Sequence, residues 1–276
     1  MKKKWWLWGA LIPLALCALA WSGRQVWQNY QEERISDEQM DLKPDVPLAA
    51  TDWDTDINAD TNQNTDTDNS GEEALLPNEE IVGEDGPPLA SPAMDFTKLQ
   101  AANKDIKAWL TVEGIGVDYP IVQSSDNVFY LTHTAEKKSN SLGALFLDFR
   151  DSKDFSDFNS VVYGHNMKSG KMFGTLPRMK EKAYFDKVKT GTLYTPGQTY
   201  RLEIFAVVVT DSRSTLFNYI FTSPSDKQKH LDFIRKNAKF YRDIGVTAKD
   251  NIITLSTCSY EYQDARTLLI ARLVPI

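Results

Sequence analysis

Three side chains in this sequence are of the types needed for covalent acyl transfer: a thiol at Cys258, a guanidinium at Arg266 and an imidazole at His165. The apolar run Ile252-Ile253-Thr254-Leu255 leads to Cys258, and Thr267-Leu268-Leu269-Ile270-Ala271 follows Arg266, so this stretch reads as two neighbouring strands joined by a loop. The thiol then faces a permanent cation across the mouth of that loop. Thiolate is the nucleophilic form of cysteine, and a nearby cation favours it. The guanidinium alternatively holds an oxyanion formed during acyl transfer. His165 closes the strand-like run Val161-Val162-Tyr163-Gly164-His165, where an imidazole can reach a facing strand. Taken singly, each has a plainer reading, a small buried hydrophobe for Cys258 and a surface ring for His165. Their occurrence together points to chemistry.

The elements that must position these groups are mostly strands. Short β-branched or aromatic runs bounded by turn residues span 112–117, 119–122, 144–148, 160–163, 191–195, 200–210, 252–257 and 266–273. Phe96, Leu99, Ile106, Trp109 and Leu110 recur at helical intervals, which predicts one or two short helices over 95–110 with Asp95 as a cap. A stronger helix is capped by Ser223-Pro224-Ser225-Asp226, and Leu231, Ile234, Ala238 and Tyr241 mark its apolar face. About eight short strands with few helices favour a barrel or a sandwich.

Charge divides the chain in two. Residues 1–95 hold 6 Lys/Arg against 19 Asp/Glu, a net of -13, while residues 96–276 hold 25 against 19, a net of +6. The Thr/Asp/Asn-rich stretch 51–68 cannot bury enough apolar surface to offset chain ordering, so 23–90 reads as an acidic disordered linker. Lys2-Lys3-Lys4 precede an apolar run from Trp5 to Trp21, which predicts a single-pass signal-anchor over 5–22 with residues 1–4 cytoplasmic. Ala18-Leu19-Ala20 also suits a signal-peptide cleavage site, but the apolar run is long for that purpose. The expected localisation is the cell membrane, with a folded domain over 91–276 outside. Of the two cysteines, Cys17 lies within the apolar run, which leaves Cys258 as a lone thiol.

The remaining candidates are weaker. His230 sits among Lys227, Lys229 and Asp232 and reads as part of a solvated helix face; His133 follows Tyr130-Leu131-Thr132 in a loop. Asp148 and Arg150 read as a structural ion pair. No CxxC or i, i+4 histidine pair offers metal-ligand spacing, no phosphate loop is present, and aromatics do not interleave with lysines as on a nucleic-acid surface. No cofactor, metal or nucleic-acid partner is therefore expected.

The segments Thr254-Leu255-Ser256-Thr257-Cys258 and Tyr163-Gly164-His165-Asn166-Met167, with Arg266, resemble the signature of the sortases, cysteine transpeptidases of Gram-positive bacteria. Tyr119-Pro120-Ile121-Val122-Gln123, Asp126-Asn127-Val128-Phe129-Tyr130-Leu131 and Gly143-Ala144-Leu145-Phe146-Leu147-Asp148-Phe149-Arg150 resemble the class B subgroup. The resemblance runs from about Asp95 to the C-terminus. It implies a mainly β fold: an eight-stranded sortase barrel with N-terminal helices and one long helix inserted between late strands. It also implies Cys258 as nucleophile, His165 as acid/base and Arg266 as oxyanion and substrate holder. Substrate-groove positions fall on Asn127, Leu131, Thr215, Tyr219, Ile220, Ser256 and Thr257. The implied partners are secreted proteins bearing a C-terminal sorting signal, of the Asn-Pro-x-Thr or Ser-Pro-x-Thr kind and cut after Thr. An amine on peptidoglycan or its lipid-linked precursor is the acceptor. Ser259 departs from relatives that carry an acid just after the cysteine. A cysteine protease, which hydrolyses its acyl-enzyme, and a non-enzymatic surface binding protein are the competing readings.

Overall fold

A computed structural model of the protein describes residues 94–276 and scattered positions between 22 and 44. Among the described residues nine strands form one sheet: β1 (Ile106–Val112), β2 (Val117–Val122), β3 (Leu145–Leu147), β4 (Asn159–Tyr163), β5 (Thr190–Tyr194), β6 (Thr199–Asp211), β7 (Ala238–Tyr241), β8 (Asn251–Cys258) and β9 (Ala265–Pro275). Their spatial order is β5-β1-β2-β3-β4-β8-β9-β6-β7, and a further β5–β6 pairing closes the first eight into a barrel. Closure is possible because β6 is long. Its first part pairs with β5 through Thr190↔Glu203 to Tyr194↔Thr199, and its later part carries β7 at Ala206–Val208.

Within residues 94–276 three α-helices lie outside the barrel: α1 (Phe96–Ala102), α2 (Lys182–Lys187) and α3 (Pro224–Asn237). Asp95 caps α1 by accepting from the Thr97 N–H, and Ser223 caps α3 by accepting from the Asp226 N–H. Three apolar clusters follow from this layout. One fills the barrel, with Leu110, Ile121, Val162, Leu255 and Leu269 among its members. A second seats α1 on Ile106 and Trp109, and a third seats α3 on Phe158, Ile252, Leu268 and Ile270. The strands are therefore apolar on both faces over much of their length, which blurs their alternation.

Two elements differ from their predicted form for that reason. Residues 106–112 form strand β1, where the sequence predicts helix as far as 110. Ile106 and Trp109 face the outer cluster, Ala108 and Leu110 face the interior, and a register shift between Ile106 and Ala108 completes a false helical spacing. The strand predicted over 112–117 is instead a 3-10 turn at 113–115 that ends on Gly116 in the left-handed region. At the other end, α3 stops at Asn237; Ala238 and Tyr241 belong to β7, although they pack into the same cluster as Leu231 and Ile234.

The expected membrane location is corrected: among the described residues no helix is long and apolar enough to cross a membrane. The run 5–22 on which that expectation rested lies outside the described residues apart from Ser22, as does most of the linker 23–90.

Candidate active site

β4, β8 and β9 lie side by side, and their register decides what meets at their ends. β8 and β9 are antiparallel, with Cys258 opposite Arg266; β4 and β8 are parallel, with Tyr163 opposite Ser256. The pairing continues past β4: the Gly164 N–H donates to the Ser256 carbonyl at 3.1 Å, and the Asn166 side-chain amide donates to the Cys258 carbonyl at 2.8 Å. His165 therefore flanks Cys258 on one side and Arg266 flanks it on the other. Directly opposed residues share a face of the sheet, with Cβ atoms about 4.5–5.5 Å apart. Ile253 and Leu255 point into the barrel, so by alternation Cys258 points out. Its thiol is free and exposed, whereas His165 and Arg266 are half-buried.

The imidazole is fixed by backbone. His165 Nε2 lies 2.7 Å from the Leu131 carbonyl, which can only accept, so Nε2 carries the hydrogen and Nδ1 is left to exchange a proton. Gly143 makes room for this ring. It has φ +64°, and a Cβ there would lie 2.7 Å from the Tyr130 carbonyl oxygen and 3.1 Å from His165 Cδ2. The Arg266 guanidinium donates to the Ala265 carbonyl at 3.0 Å, and no carboxylate among the described residues forms an ion pair with it. A guanidinium beside a thiol with donors to spare suits a developing oxyanion.

Asp148 ties the walls of the groove to its floor. This buried carboxylate accepts from Asn127 at 3.0 Å, from the Tyr163 hydroxyl at 3.0 Å and from Arg150 at 2.7 and 2.8 Å. Burial alone would raise its pKa, but Arg150, Asn127 and Tyr163 outweigh that and hold it below the usual carboxylate range. Arg150 in turn lies over the Tyr219 ring at 4.0 Å, which joins the opposite wall. The predicted Asp148–Arg150 pair is thus the hub of a larger network. Phe217 stacks on Tyr163, and Asn159 anchors the connection between β6 and β7 through the Leu216 and Asn218 carbonyls.

Of the predicted groove residues, Asn127 and Tyr219 join the Asp148 hub and Leu131 supplies the carbonyl to His165. Thr215 and Ile220 lie in the β6–β7 connection, beside a cavity also lined by α3. Ser256 shares the outward face of β8 with Cys258; its buried hydroxyl has no hydrogen-bond partner in the protein. Thr257 points the other way, and its hydroxyl donates to the Gly164 carbonyl at 2.8 Å, bracing the end of β4. Ser259, where some relatives have an acid, donates its hydroxyl to Glu261, which also pairs with Lys180.

Sequence reasoning missed Asn166, Gly143 and Tyr163 as parts of this arrangement, although Asn166 and Tyr163 stand within the His165 segment. It also misplaced His230, which is buried against Phe158 and Phe221 and not on a solvated face. Burial pushes its pKa down to about 4.

Comparison with known proteins agrees with this geometry. The sortase domain family model matches residues 110–274. Sortase B of Listeria monocytogenes is 37% identical over 185 residues, covering 65% of this chain and 74% of the relative. The crystal structure of Clostridium perfringens sortase B superposes with a TM-score of 0.62 at 33% identity, covering 65% of this chain and all of the other. A Staphylococcus aureus sortase B–substrate complex gives a TM-score of 0.62 at 28% identity, covering 66% of this chain and 85% of the other. Signature residues, barrel topology and relatives together show that the chain belongs to the sortase family and, within it, to class B.

Proposed function

We propose that this sortase cleaves an Asn-Pro-x-Thr or Ser-Pro-x-Thr sorting motif after its threonine, with Cys258, His165 and Arg266 as catalytic residues. The family as a whole consists of cysteine transpeptidases that join proteins bearing sorting signals to amine nucleophiles. The catalytic unit in this reading spans 91–276. The observation that carries it is the shared outward rung of β4, β8 and β9, which sets an imidazole, a thiol and a guanidinium side by side.

The reaction begins with the Cys258 thiolate and the His165 imidazolium. Sulfur attacks the threonine carbonyl carbon, and Arg266 donates hydrogen bonds to the oxyanion. Collapse breaks the C–N bond as His165 gives its Nδ1 proton to the leaving amine, and a thioester to Cys258 remains. The acceptor amine, from peptidoglycan or a lipid-linked precursor, then attacks that carbonyl. His165 takes the amine's proton, the new amide forms and the thiolate leaves. Arg266 cannot readily lose its charge, so it serves as clamp and not as base. Asn127, Leu131, Thr215, Tyr219 and Ile220 form the walls that hold the motif, and Ser256, with its hydroxyl buried, lies in the floor beneath it. Thr257 supports the frame in this scheme.

The test is incubation of the protein with a library of such motif peptides, with and without an added amine, followed by mass spectrometry. Cleavage after threonine with the amine joined to the acyl half supports the proposal. A free acid in the presence of excess amine favours the cysteine-protease reading. Absence of any trappable thioester excludes covalent catalysis by Cys258.

A further inference from the structure

A cavity of about 350 Å³ lies between the β6–β7 connection and α3, with Thr215, Ile220, Phe221, His230 and Phe233 among its lining. Thr215 and Ile220 also belong to the groove assigned to the substrate, so the cavity continues that groove. Its distance from the catalytic rung follows from the chain. His230 packs against Phe158, just before β4, and His165 lies just past the other end of that strand. At about 3.3 Å per residue, the seven-residue separation is roughly 23 Å, or about seven residues of extended peptide. A four-residue motif bound at Cys258 therefore stops about three residues short.

The cavity has a defined chemistry. His230 is 6% exposed, and its Nε2 has no hydrogen-bond partner in the protein. A buried polar atom left unpaired calls for an explanation. Phe221 meets the imidazole edge-on at 5.0 Å, with Phe158 behind it at 4.7 Å, so the wall is aromatic and braced. Phe233 and Ile220 leave apolar surface open at the rim. Asp226 and Lys229, also at the rim, pair with each other at 3.8 Å, and Asp226 is further satisfied by the Thr222 and Ser223 hydroxyls at 2.8 and 2.9 Å. A charged guest would lose its hydration there while the two rim charges are already matched to each other, whereas an apolar body with one neutral polar tip fits.

We propose that this cavity is a subsite for the third residue upstream of the sorting motif, and that it takes an uncharged side chain with an apolar body and one hydrogen-bonding group. The inference rests on the substrate-groove reading above. It predicts that the enzyme reads a longer stretch of its substrate than the motif alone.

The experiment uses the full chain and motif peptides carrying four upstream residues, with Gln, Tyr, Gly or Asp at each position in turn. Gln or Tyr at the third upstream position is expected to raise kcat/KM about tenfold over Gly or Asp. In His230→Phe and Phe233→Ala the ratio of the Gln to the Gly peptide is expected to fall to within about twofold of unity, whatever rate the Gly peptide retains. Should His230→Phe fail to fold, the ratio in Phe233→Ala decides. A flat profile at all four positions, or a preference undiminished in the variants, overturns the subsite while bare-motif cleavage keeps the proposed function. If no motif peptide is cleaved by the native enzyme, both fall together.

Discussion

Two histidines on the outer face of the same barrel meet opposite fates. His165 stands at an open strand end, half-buried, with one nitrogen fixed to the Leu131 carbonyl and an exposed thiol on the adjoining strand. His230 is enclosed by Phe158 and Phe221, where burial keeps it neutral. The first can change charge during a reaction because solvent and a partner are at hand. The second offers only a neutral nitrogen. Residue type is common to both sites, and strand-end access divides them.

Several measurements can break or sharpen that contrast. The largest effect is expected at the open rung, where Cys258→Ala removes the nucleophile. Cleavage should fall at least about 10⁴-fold with the melting temperature unchanged, and appreciable turnover by this variant would remove Cys258 from the mechanism. Arg266→Lys keeps the charge but loses the planar fork, and a fall in kcat/KM of about 10²–10³-fold is expected. Near-native rates would mean that a point charge suffices.

Gly143→Ala tests the fixed ring from beneath. The added Cβ meets the Tyr130 carbonyl and His165 Cδ2 at a φ of +64°, so about 1–3 kcal/mol of stability should be lost on denaturant titration. kcat should fall more than KM changes, because the acid/base is displaced. An unaltered kcat would show that the ring does not depend on this support.

The smallest effect concerns pH and the closed site. His230 has its pKa lowered from 6.5 to about 4 by burial, so between those values the unfolded chain binds the proton and the folded one does not. Its contribution to stability is present above pH 6.5 and is lost as pH falls toward 4. Asp151 works in the opposite direction. Burial, helped by the charges of Asp148 and Asp157 and opposed by the Val161 N–H, raises it from 3.8 to about 7. Its contribution is present below pH 3.8 and is lost as pH rises toward 7. The two slopes oppose each other, so His230→Phe should expose a stability that declines as pH rises from 4 to 6.5. Equilibrium unfolding across that range checks this, and the opposite slope would show that Asp151 is not the dominant titrating group.

The meeting of Cys258, Arg266 and His165 at adjoining strand ends was legible because the local signals were strong: two apolar runs around Cys258 and Arg266, and one leading to His165. Barrel closure was legible only as a number of strands, since the β5–β6 pairing depends on the length of β6. β1 was misread because it is buried on both faces and carries a register shift. β7 was misread because its inward residues continue the apolar spacing of α3. The Asp148 hub joins Asn127, Arg150 and Tyr163 across 36 residues, and nothing in their local patterns announces a shared partner. His230 was misjudged from its charged neighbours in sequence, when the deciding neighbours were Phe158 and Phe221 on other elements.

Barrel closure also bears on how the molecule tolerates crowding. Among the described strands, each of the eight ring members has a neighbouring strand on both sides, and β7 is the one strand with a neighbour on one side alone. That strand is four residues long, carries Lys239 and is followed by Arg242. A rim so brief and so positively charged makes a poor template for a foreign strand. The enzyme can therefore handle extended polypeptides without itself nucleating aggregates.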